Sequence, residues 1–318
     1  MTDRPLVSFC LASYNQREYV GAAVESALAQ DYPHLEIIIA DDGSTDGSPA
    51  LIRRLVEGDS RVRLLPSERN LGRARNYERM YALAQGELIV SADGDDISEP
   101  NRVSALVAAW LADGKRAMAL YSDGIKIDPQ GRMLPGGLGR RSHLWPLGAV
   151  MAFSPRVVRE FPPIEVEGAS QDHVFAARAV MLGSELTVDA KLVRWRVGSG
   201  ISSLYRSRRK VDSEMAVMRL ASARQVLADL DCREDKGLAL PELRRRYEEY
   251  ARQNEWERDL SGDFPWRVRW RAFRSLFRGA MLTRGAWLRL PYLLPRRMGD
   301  VIYGVELRLR FLRRRCSR

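Results

Sequence analysis

Cysteine, histidine and long apolar runs are scarce in this chain of 318 residues. The three cysteines, Cys10, Cys232 and Cys316, are odd in number and far apart, which argues against a disulfide scaffold and favours a reducing compartment. The three histidines show no ligand spacing, and we assign none of them to a metal. No stretch reaches the roughly 18 uninterrupted apolar residues of a membrane span. The first residues lack the basic and apolar segments of a signal peptide, so we expect none.

Positive charge is concentrated at the C-terminal end of the sequence. Residues 261–318 contain fifteen arginines, no lysine and three acidic residues, a net charge of +12 within a total of +10. Residues 1–260 therefore carry a net charge of −2. The basic character of the chain is a property of this one segment.

Residues 261–318 also carry an aromatic stripe at helical spacing. The stripe consists of Trp266, Trp270, Phe273, Phe277 and Met281, flanked by Arg267, Arg271, Arg274 and Arg278. Tryptophan with arginine is typical of an interfacial helix on a membrane surface that contains anionic lipid. A helix that packs on the rest of the chain and an RNA-binding arm are the alternatives, and of these we do not expect nucleic-acid binding.

The first hundred residues alternate short aliphatic strands with amphipathic helices. Strands are predicted at Leu6–Leu11, Leu35–Ala40, Val62–Leu65 and Leu88–Ser91, and helices near Tyr19–Gln30, Ser48–Glu57 and Arg73–Ala84. This alternation predicts βαβ units and a parallel sheet that helices cover on both faces. The fold class is therefore α/β.

Three carboxylates follow the strand at Leu88–Ser91, in the segment IVSADGDDISEP. Ligands of a parallel α/β sheet bind outside the carboxyl ends of its strands, so Asp93, Asp95 and Asp96 should lie at the edge of a site. Hard divalent cations prefer carboxylate and phosphate oxygens, and an Asp-x-Asp pair at a strand end can hold such an ion against a diphosphate. A solvated Asp/Gly turn is the alternative for this segment taken alone.

Several motifs occur together in a fixed order. They are VSFCLASYNQREYV, LEIIIADDGSTDGS, NLGRARN, the acidic segment and GASQDHVFAAR. In this order and at this spacing they resemble the family 2 glycosyltransferases, an inverting group with the GT-A fold. The resemblance covers Leu6 to Ser203, about two thirds of the chain. It implies a Rossmann-like mixed sheet flanked by helices, to which this chain adds a helical, arginine-rich C-terminal appendage.

The resemblance assigns nucleotide-donor contacts to residues that follow the strands. Tyr14 would stack on the base, and Asp41 or Asp42 would accept a hydrogen bond from a uracil or thymine ring nitrogen; the sequence does not separate the last two. Ser13, Gly94, Arg73 and Arg75 complete the donor-binding set, with the arginines placed to hold phosphate. Each has a plain alternative: a cap on the sheet edge for Tyr14, a turn for Asp42 and solvated helix faces for the arginines.

The resemblance also implies a metal site and a catalytic base. Asp95 is the first choice as ligand of Mn²⁺ or Mg²⁺, with Asp93 closer to the ribose and diphosphate, whereas Asp96 opens the following turn. Asp172 would remove the proton from the acceptor hydroxyl as that oxygen attacks the anomeric carbon in a single inverting displacement. An N-cap of the following helix is the alternative for Asp172.

One segment departs from the family pattern. Many relatives have a histidine in the region of Leu192–Ser203, where this chain offers Arg194 and Arg196. A charged arginine does not coordinate a cation, but it suits phosphate oxygens, so we expect Arg196 to contact the diphosphate. The segment WPLGAVMAF, Trp145 to Phe153, matches the acceptor-side strand, with Gly148 and Ala149 close to the sugar acceptor.

We therefore expect three parts in the chain. These are a GT-A catalytic domain at 1–204, a charged helical connector or oligomer contact at 205–260, and a membrane-associating region at 261–318. The expected activity is transfer from a UDP or dTDP sugar to a lipid-linked or cell-surface glycan. The expected place is the cytoplasm, on the inner face of the cytoplasmic membrane.

Two other classes of function compete with this expectation. A nucleotidyltransferase would present a Gly-rich loop with a basic residue directly after the first strand, and ASYNQREY offers none. A catalytically silent membrane-binding module would leave Asp95 and Asp172 without a function.

Overall fold

A computed structural model of the chain describes residues 4–139, 146–199 and 208–261. The chain divides into two compact units: residues 1–200 with 225–240, and residues 201–224 with 241–318. This division differs from the predicted boundary after residue 204, because residues 225–240 pack with the first unit. The predicted aromatic stripe, Trp266 to Met281, lies outside the described residues.

The described strands form one mixed sheet in the first unit. They are β1 (Val7–Ser13), β2 (Leu35–Asp41), β3 (Val62–Leu65), β4 (Leu88–Asp93), β5 (Ile97–Ser98), β6 (Ala117–Ile127), β7 (Met133–Gly137), β8 (Met151–Phe153) and β9 (Ser184–Arg196). Their order across the sheet is β3-β2-β1-β4-β8-β6-β9-β5, with β7 paired to β6. β1 to β4 are parallel to one another, and β8 runs antiparallel between β4 and β6.

The helices alternate with these strands along the chain. They are α1 (Val20–Leu28), α2 (Ser48–Leu55), α3 (Arg73–Leu83), α4 (Arg102–Ala112), α5 (Arg156–Arg159), α6 (Gln171–Leu182), α7 (Arg208–Glu234) and α8 (Pro241–Ser261). The predicted elements of the first hundred residues are confirmed, with ends shifted by a few residues. No helix in the described part of the chain is long and apolar enough to cross a membrane.

Helices cover both faces of the sheet because its central strands are apolar on both sides. One core packs α1 and α4 against the sheet through Val20, Val24, Val103 and Leu106. The core on the other face contains Met80, Tyr81, Phe153 and Phe175, and it packs α3 and α6. The predicted α/β fold is confirmed.

The register of the parallel strands brings their polar ends together. Ser13 at the end of β1 pairs with Asp41 at the end of β2, and Asp93 at the end of β4 pairs with Ala12. The carboxyl ends of three neighbouring strands therefore lie at one edge of the sheet. This is the edge at which α/β proteins bind ligands.

The predicted acceptor-side strand is shorter than the sequence pattern indicated. Gly148–Val150 form a 3-10 turn, and only Met151–Phe153 pair in the sheet. The turn lies beside β4, β6 and β9, so the chain reaches the strand ends before it enters the sheet.

The second half of α7 fixes the segment that precedes α6. The Gln225 side-chain oxygen accepts hydrogen bonds from the backbone N–H groups of Glu165 and Val166, at 2.9 and 3.0 Å. Arg178 of α6 donates two hydrogen bonds to Asp229, at 2.7 and 3.0 Å, and both side chains are buried. Loss of one partner from a buried pair costs about 3–5 kcal/mol, so this contact stabilises the packing of α6 against the second half of α7.

Candidate active site

Backbone hydrogen bonds join the ends of β1, β2 and β4. The Asp42 N–H donates to the Ser13 carbonyl at 2.9 Å, and the Gly94 N–H donates to the Ala12 carbonyl at 2.8 Å. A side chain at position 94 would place a Cβ atom 2.5 Å from Gln16 Oε1 and 3.1 Å from the Ala12 carbonyl. A larger residue at position 94 would therefore have to displace the Gln16 side chain and shift the end of β1 by a few tenths of an ångström.

The structure separates Asp41 from Asp42, which the sequence did not. Asp41 closes its own turn, because both of its oxygens accept hydrogen bonds from Ser44. The Asp42 carboxylate reaches a different segment and accepts the N–H groups of Leu71 and Gly72, at 2.8 and 3.1 Å. Asp42 thus holds the chain where it enters α3. The contact of either acid with a nucleotide base stays a prediction.

One face of α3 contacts the polar groups of the site. Arg73, Tyr77 and Tyr81 are four residues apart and lie on one side of the helix. The Tyr77 hydroxyl donates to Asp93, and the Tyr81 hydroxyl lies 2.8 Å from Ser91 Oγ. Sequence analysis missed both tyrosines, although their spacing from Arg73 was a usable signal.

The acidic turn after β4 crowds three carboxylates. Asp96 is buried; its Oδ1 accepts the Arg196 N–H at 2.7 Å, and its Oδ2 has no hydrogen-bond partner among the described residues. Burial and the charges of Asp95 and Asp93 raise the pKa of Asp96 well above its ordinary value. Burial and the charge of Asp95 likewise raise the pKa of Asp93, against the opposing charge of Arg73.

A buried arginine lies close to the turn and offsets part of this charge. Arg102 donates to Ser98 Oγ at 3.0 Å and to the Ser91 carbonyl at 2.7 Å, and its Nε has no partner within the described chain. Burial lowers the pKa of Arg102 to about 10, although the nearby Asp96 charge favours its charged form. The turn combines negative charge with an unpaired oxygen, which suits an added cation.

The residues of the turn fit a divalent cation of the hard class. Asp93 and Asp95 supply carboxylate oxygens, the ligands that Mg²⁺ and Mn²⁺ prefer. Residues 4–139, 146–199 and 208–261 contain no cluster of three or more His, Cys, Asp or Glu side chains in ligating geometry. A magnesium-type ion held by one or two carboxylates completes its shell with substrate phosphates and water. The donor set therefore fits an ion that binds together with a phosphorylated substrate.

The segment after β9 closes over this turn. The Arg196 guanidinium donates to the backbone carbonyls of Asp95, Asp128 and Pro129, at 2.9, 3.1 and 2.7 Å, and lies over the Tyr19 ring. Ser199 Oγ donates to Asp95 Oδ2 at 2.7 Å. These contacts give Arg196 a structural function, and its diphosphate contact stays a prediction.

Asp172 lies in the first turn of α6, and it is not the N-cap. The helix begins at Gln171 after the N-cap residue Ser170, so the N-cap alternative does not describe Asp172. Its Oδ1 accepts hydrogen bonds from the Ser170 hydroxyl and, at 3.0 Å, from the His173 N–H, and it lies 3.3 Å from the His173 ring Nδ1. Its Oδ2 lies 3.4 Å from the Gly148 nitrogen and 3.7 Å from the Arg73 guanidinium.

The surroundings of Asp172 favour its ionised form. Burial alone would raise the pKa of Asp172, but the hydrogen bond and charge of His173, together with the charge of Arg73, hold it well below its ordinary value. His173 appeared incidental in the sequence, yet it is the closest titratable neighbour of Asp172. An ionised carboxylate on this side of the site can accept a proton.

Two predicted acceptor-side residues have different places in the structure. Gly148 is half-buried and its N–H faces Asp172, as an acceptor-side position requires. Ala149 is fully buried, and its contact with the acceptor stays a prediction. Tyr14 is 46% exposed in the turn after β1, and Arg75 is exposed on α3; their donor contacts stay predictions.

A family model matches the first part of the chain. The sequence model described as glycosyl transferase family 2 matches residues 8–148. This range contains the ends of β1, β2 and β4, the start of α3 and the acidic turn. This match covers less than half of the chain, which is thus similar to glycosyl transferase family 2 over residues 8–148.

Curated relatives match part of this chain. The chondroitin synthase of Pasteurella multocida is 34% identical over 133 residues, which is 42% of this chain and 14% of that protein. The succinoglycan biosynthesis protein ExoO of Rhizobium meliloti is 34% identical over 124 residues, which is 39% of this chain and 35% of that protein. The chain thus spans about a third or less of the length of these relatives.

Solved structures share the fold over most of the chain. A mannosyltransferase from Pyrobaculum calidifontis, in complex with GDP-Man and Mn²⁺, is 19% identical with a TM-score of 0.58, over 90% of this chain and 79% of that one. S. aureus TarS 1–349, in complex with UDP-GlcNAc, is 16% identical with a TM-score of 0.56, over 87% and 93%. These similarities confirm the GT-A fold.

The raised pKa of Asp96 predicts a pH-dependent gain in stability for Asp96→Asn. The folded state binds the Asp96 proton more tightly than the unfolded state does. In the unfolded state the pKa of an aspartate carboxyl is about 3.9. The contribution of Asp96 to stability is therefore complete below that pH and is lost as the pH rises through the raised folded value. Asparagine keeps the acceptor for the Arg196 N–H and does not titrate.

We therefore expect Asp96→Asn, without divalent cations, to have a higher Tm than the wild type at neutral pH, and the difference should shrink as the pH falls. Thermal unfolding followed by circular dichroism from pH 4 to pH 8, about the range in which carboxylates with raised pKa values titrate, measures it. The exposed Asp189→Asn is the matched control. A Tm difference that does not change with pH would contradict the assignment.

Proposed function

We propose that this chain is an inverting glycosyltransferase that uses a nucleotide-sugar donor and a divalent cation. The observation that carries the proposal is the arrangement of two acidic groups around α3. The crowded turn Asp93–Asp96 lies at the end of β4, and the ionised Asp172 lies at the start of α6 beside Arg73. One group suits a cation and a diphosphate, and the other suits an acceptor hydroxyl.

The donor would bind along the strand ends. Tyr14 is exposed after β1 and can stack on a base, and the acids after β2 can accept a ring N–H, which favours UDP or dTDP sugars. When bound, a cation held by Asp95 and Asp93 would supply electrostatic stabilisation of the departing diphosphate. The Tyr77 hydroxyl fixes the orientation of Asp93. The structural neighbours bound to GDP-Man and UDP-GlcNAc support a nucleotide-sugar donor.

Asp172 would act on the acceptor. Its Oδ1 is occupied by Ser170 and His173, so Oδ2 is the oxygen that would receive the acceptor proton. The acceptor oxygen forms a bond to the anomeric carbon, the bond from that carbon to the diphosphate oxygen breaks, and the proton passes to Asp172. A single displacement of this kind inverts the anomeric configuration. It needs no covalent nucleophile.

The acceptor would be a glycan under construction. The chain has relatives named chondroitin synthase and succinoglycan biosynthesis protein, which favours an extracellular or surface polysaccharide. We further propose that the acceptor is lipid-linked and that residues 261–318 bring the enzyme to the inner face of the cytoplasmic membrane. The net charge of +12 and the aromatic stripe of that segment support this part.

Asp172→Asn tests the catalytic assignment. Asparagine keeps the size of the side chain and loses the basic oxygen, so we expect turnover to fall by about 10²-fold or more while the donor still binds. Donor turnover with Mn²⁺ across UDP, dTDP and GDP sugars, measured as release of nucleoside diphosphate, gives the rate. Asp189→Asn serves as the control, because Asp189 is exposed on β9. An Asp172→Asn variant that kept most of its kcat would remove Asp172 from the mechanism.

Deletion of residues 261–318 tests the membrane proposal. Each arginine near anionic lipid contributes about 1 kcal/mol, and the aromatic stripe adds a part that salt does not screen. We expect the full chain to sediment with vesicles that contain phosphatidylserine, even at high salt, and the shortened chain to stay in solution with its nucleotide binding intact. Loss of nucleotide binding on deletion would instead indicate that the segment belongs to the core.

A further inference from the structure

Arg73 occupies an unusual place for a cation. It is the first residue of α3, where the helix dipole disfavours positive charge, and the first turn of α3 contains no acidic residue. Its side chain is 49% exposed, although it contacts three residues almost a hundred positions away in sequence. An anionic partner is needed to offset the unfavourable interaction of this positive charge with the helix dipole.

The contacts that Arg73 makes are long. Its Nε lies 3.2 Å from Gln171 Oε1, and a terminal nitrogen lies 3.4 Å from Ser170 Oγ and 3.7 Å from Asp172 Oδ2. Charge-assisted hydrogen bonds of arginine to a carboxylate are usually about 2.7–2.9 Å long. Arg73 therefore lies near Asp172 but does not form a close, charge-assisted hydrogen bond with it.

A second anionic group lies within electrostatic reach of Arg73. The charges of Asp93 and Arg73 each shift the pKa of the other, and Tyr77, one helical turn after Arg73 on α3, donates a hydrogen bond to Asp93. In the proposed function, Asp93 lies beside the donor diphosphate. The Arg73 guanidinium is thus near the proposed positions of both the donor and the acceptor.

The backbone of Arg73 is anchored on the donor side. Asp42 accepts the N–H groups of Leu71 and Gly72, and the Asp42 N–H donates to the end of β1. Gly72 adopts a φ of 86°, which glycine reaches without strain, and the chain turns there into α3. The start of α3 is fixed by the strand ends, whereas the end of the Arg73 side chain is loosely held.

We propose that Arg73 exchanges partners: it contacts Asp172 when no donor is bound and transfers to the donor diphosphate when the donor binds. This inference rests on the proposed function and adds a link between its two substrates. The exchange withdraws a positive charge from Asp172 Oδ2 at the stage when that oxygen has to accept a proton. Arg73 is thus a donor ligand and a positioning residue for Asp172.

A double-mutant cycle in nucleotide affinity tests the exchange. The four proteins are the wild type, Asp172→Asn, Arg73→Gln and the double variant, each titrated by calorimetry with Mn²⁺ and the tightest binder among UDP, dTDP and GDP. In the wild type, donor binding has to break the contact of Arg73 with Asp172, and in Asp172→Asn this ion pair is absent. We therefore expect Asp172→Asn to bind the nucleotide about two- to fivefold more tightly than the wild type, which corresponds to the free energy of a half-exposed ion pair. Arg73→Gln should bind it roughly tenfold more weakly.

The decisive comparison is made in the Arg73→Gln background. With the guanidinium absent, Asp172→Asn should leave the nucleotide affinity unchanged. The corresponding nucleoside, which lacks phosphate, should bind all four proteins equally, and this arm also reports that the variants are folded. The exposed Arg54→Gln on α2 is the matched charge control and should bind like the wild type.

Two results would overturn the exchange. Equal nucleotide affinity of wild type and Asp172→Asn would show that Arg73 does not leave Asp172. An affinity gain of the same size in the Arg73→Gln background would show direct repulsion between Asp172 and the diphosphate. A wild type that binds none of the three nucleotides would contradict the proposed function itself, and the exchange with it.

Discussion

The crowding of carboxylates at the end of β4 is the constraint on which the rest of the site depends. Asp93, Asp95 and Asp96 lie within four residues, and burial raises the pKa of two of them. Buried like charges are costly unless partners compensate them. The neighbouring elements supply these partners: Tyr77 from α3, Arg102 from α4, and the Arg196 N–H and Ser199 hydroxyl from the end of β9.

This compensation is incomplete among the described residues. One oxygen of Asp96 and the Nε of Arg102 are buried without hydrogen-bond partners. A structure that needed only stability would replace such a group, because an unpaired buried polar atom costs about 1–3 kcal/mol. Perturbed groups of this kind cluster at functional sites. A cation that binds to the turn together with the donor would offset this energetic cost.

The helix α3 connects this turn with the opposite side of the site. Its polar face contacts Asp172, Asp93 and Ser91 through side chains four residues apart, and Asp42 fixes its first turn. Tyr81 also packs edge-on against Phe153 and Phe175 in the core beneath. A shift of α3 would therefore move the donor side and the acceptor side together. Rigid packing below and a loosely held arginine at its start are compatible with a site that binds two substrates.

Much of the fold followed from the sequence, whereas the side-chain partners did not. Strand and helix periodicity located β1 to β4 and α1 to α3, and the strand-end rule located Asp41, Asp42 and Asp93. The side-chain partners depend on contacts between residues far apart in the chain, which local pattern does not encode. Three backbone carbonyls surround the Arg196 guanidinium, and its predicted diphosphate contact stays a prediction. The burial of Ala149 likewise arises from such long-range packing.

In the proposed function, the turn after β4 holds a cation that binds the donor diphosphate. Calorimetric titration of UDP, with and without Mn²⁺, into the wild type and Asp95→Ala tests it most directly, with Asp189→Ala as the control. We predict that Mn²⁺ strengthens UDP binding by the wild type and by the control, whereas Asp95→Ala binds UDP weakly and equally with or without the ion. Unchanged Mn²⁺-dependent binding by Asp95→Ala would contradict the claim.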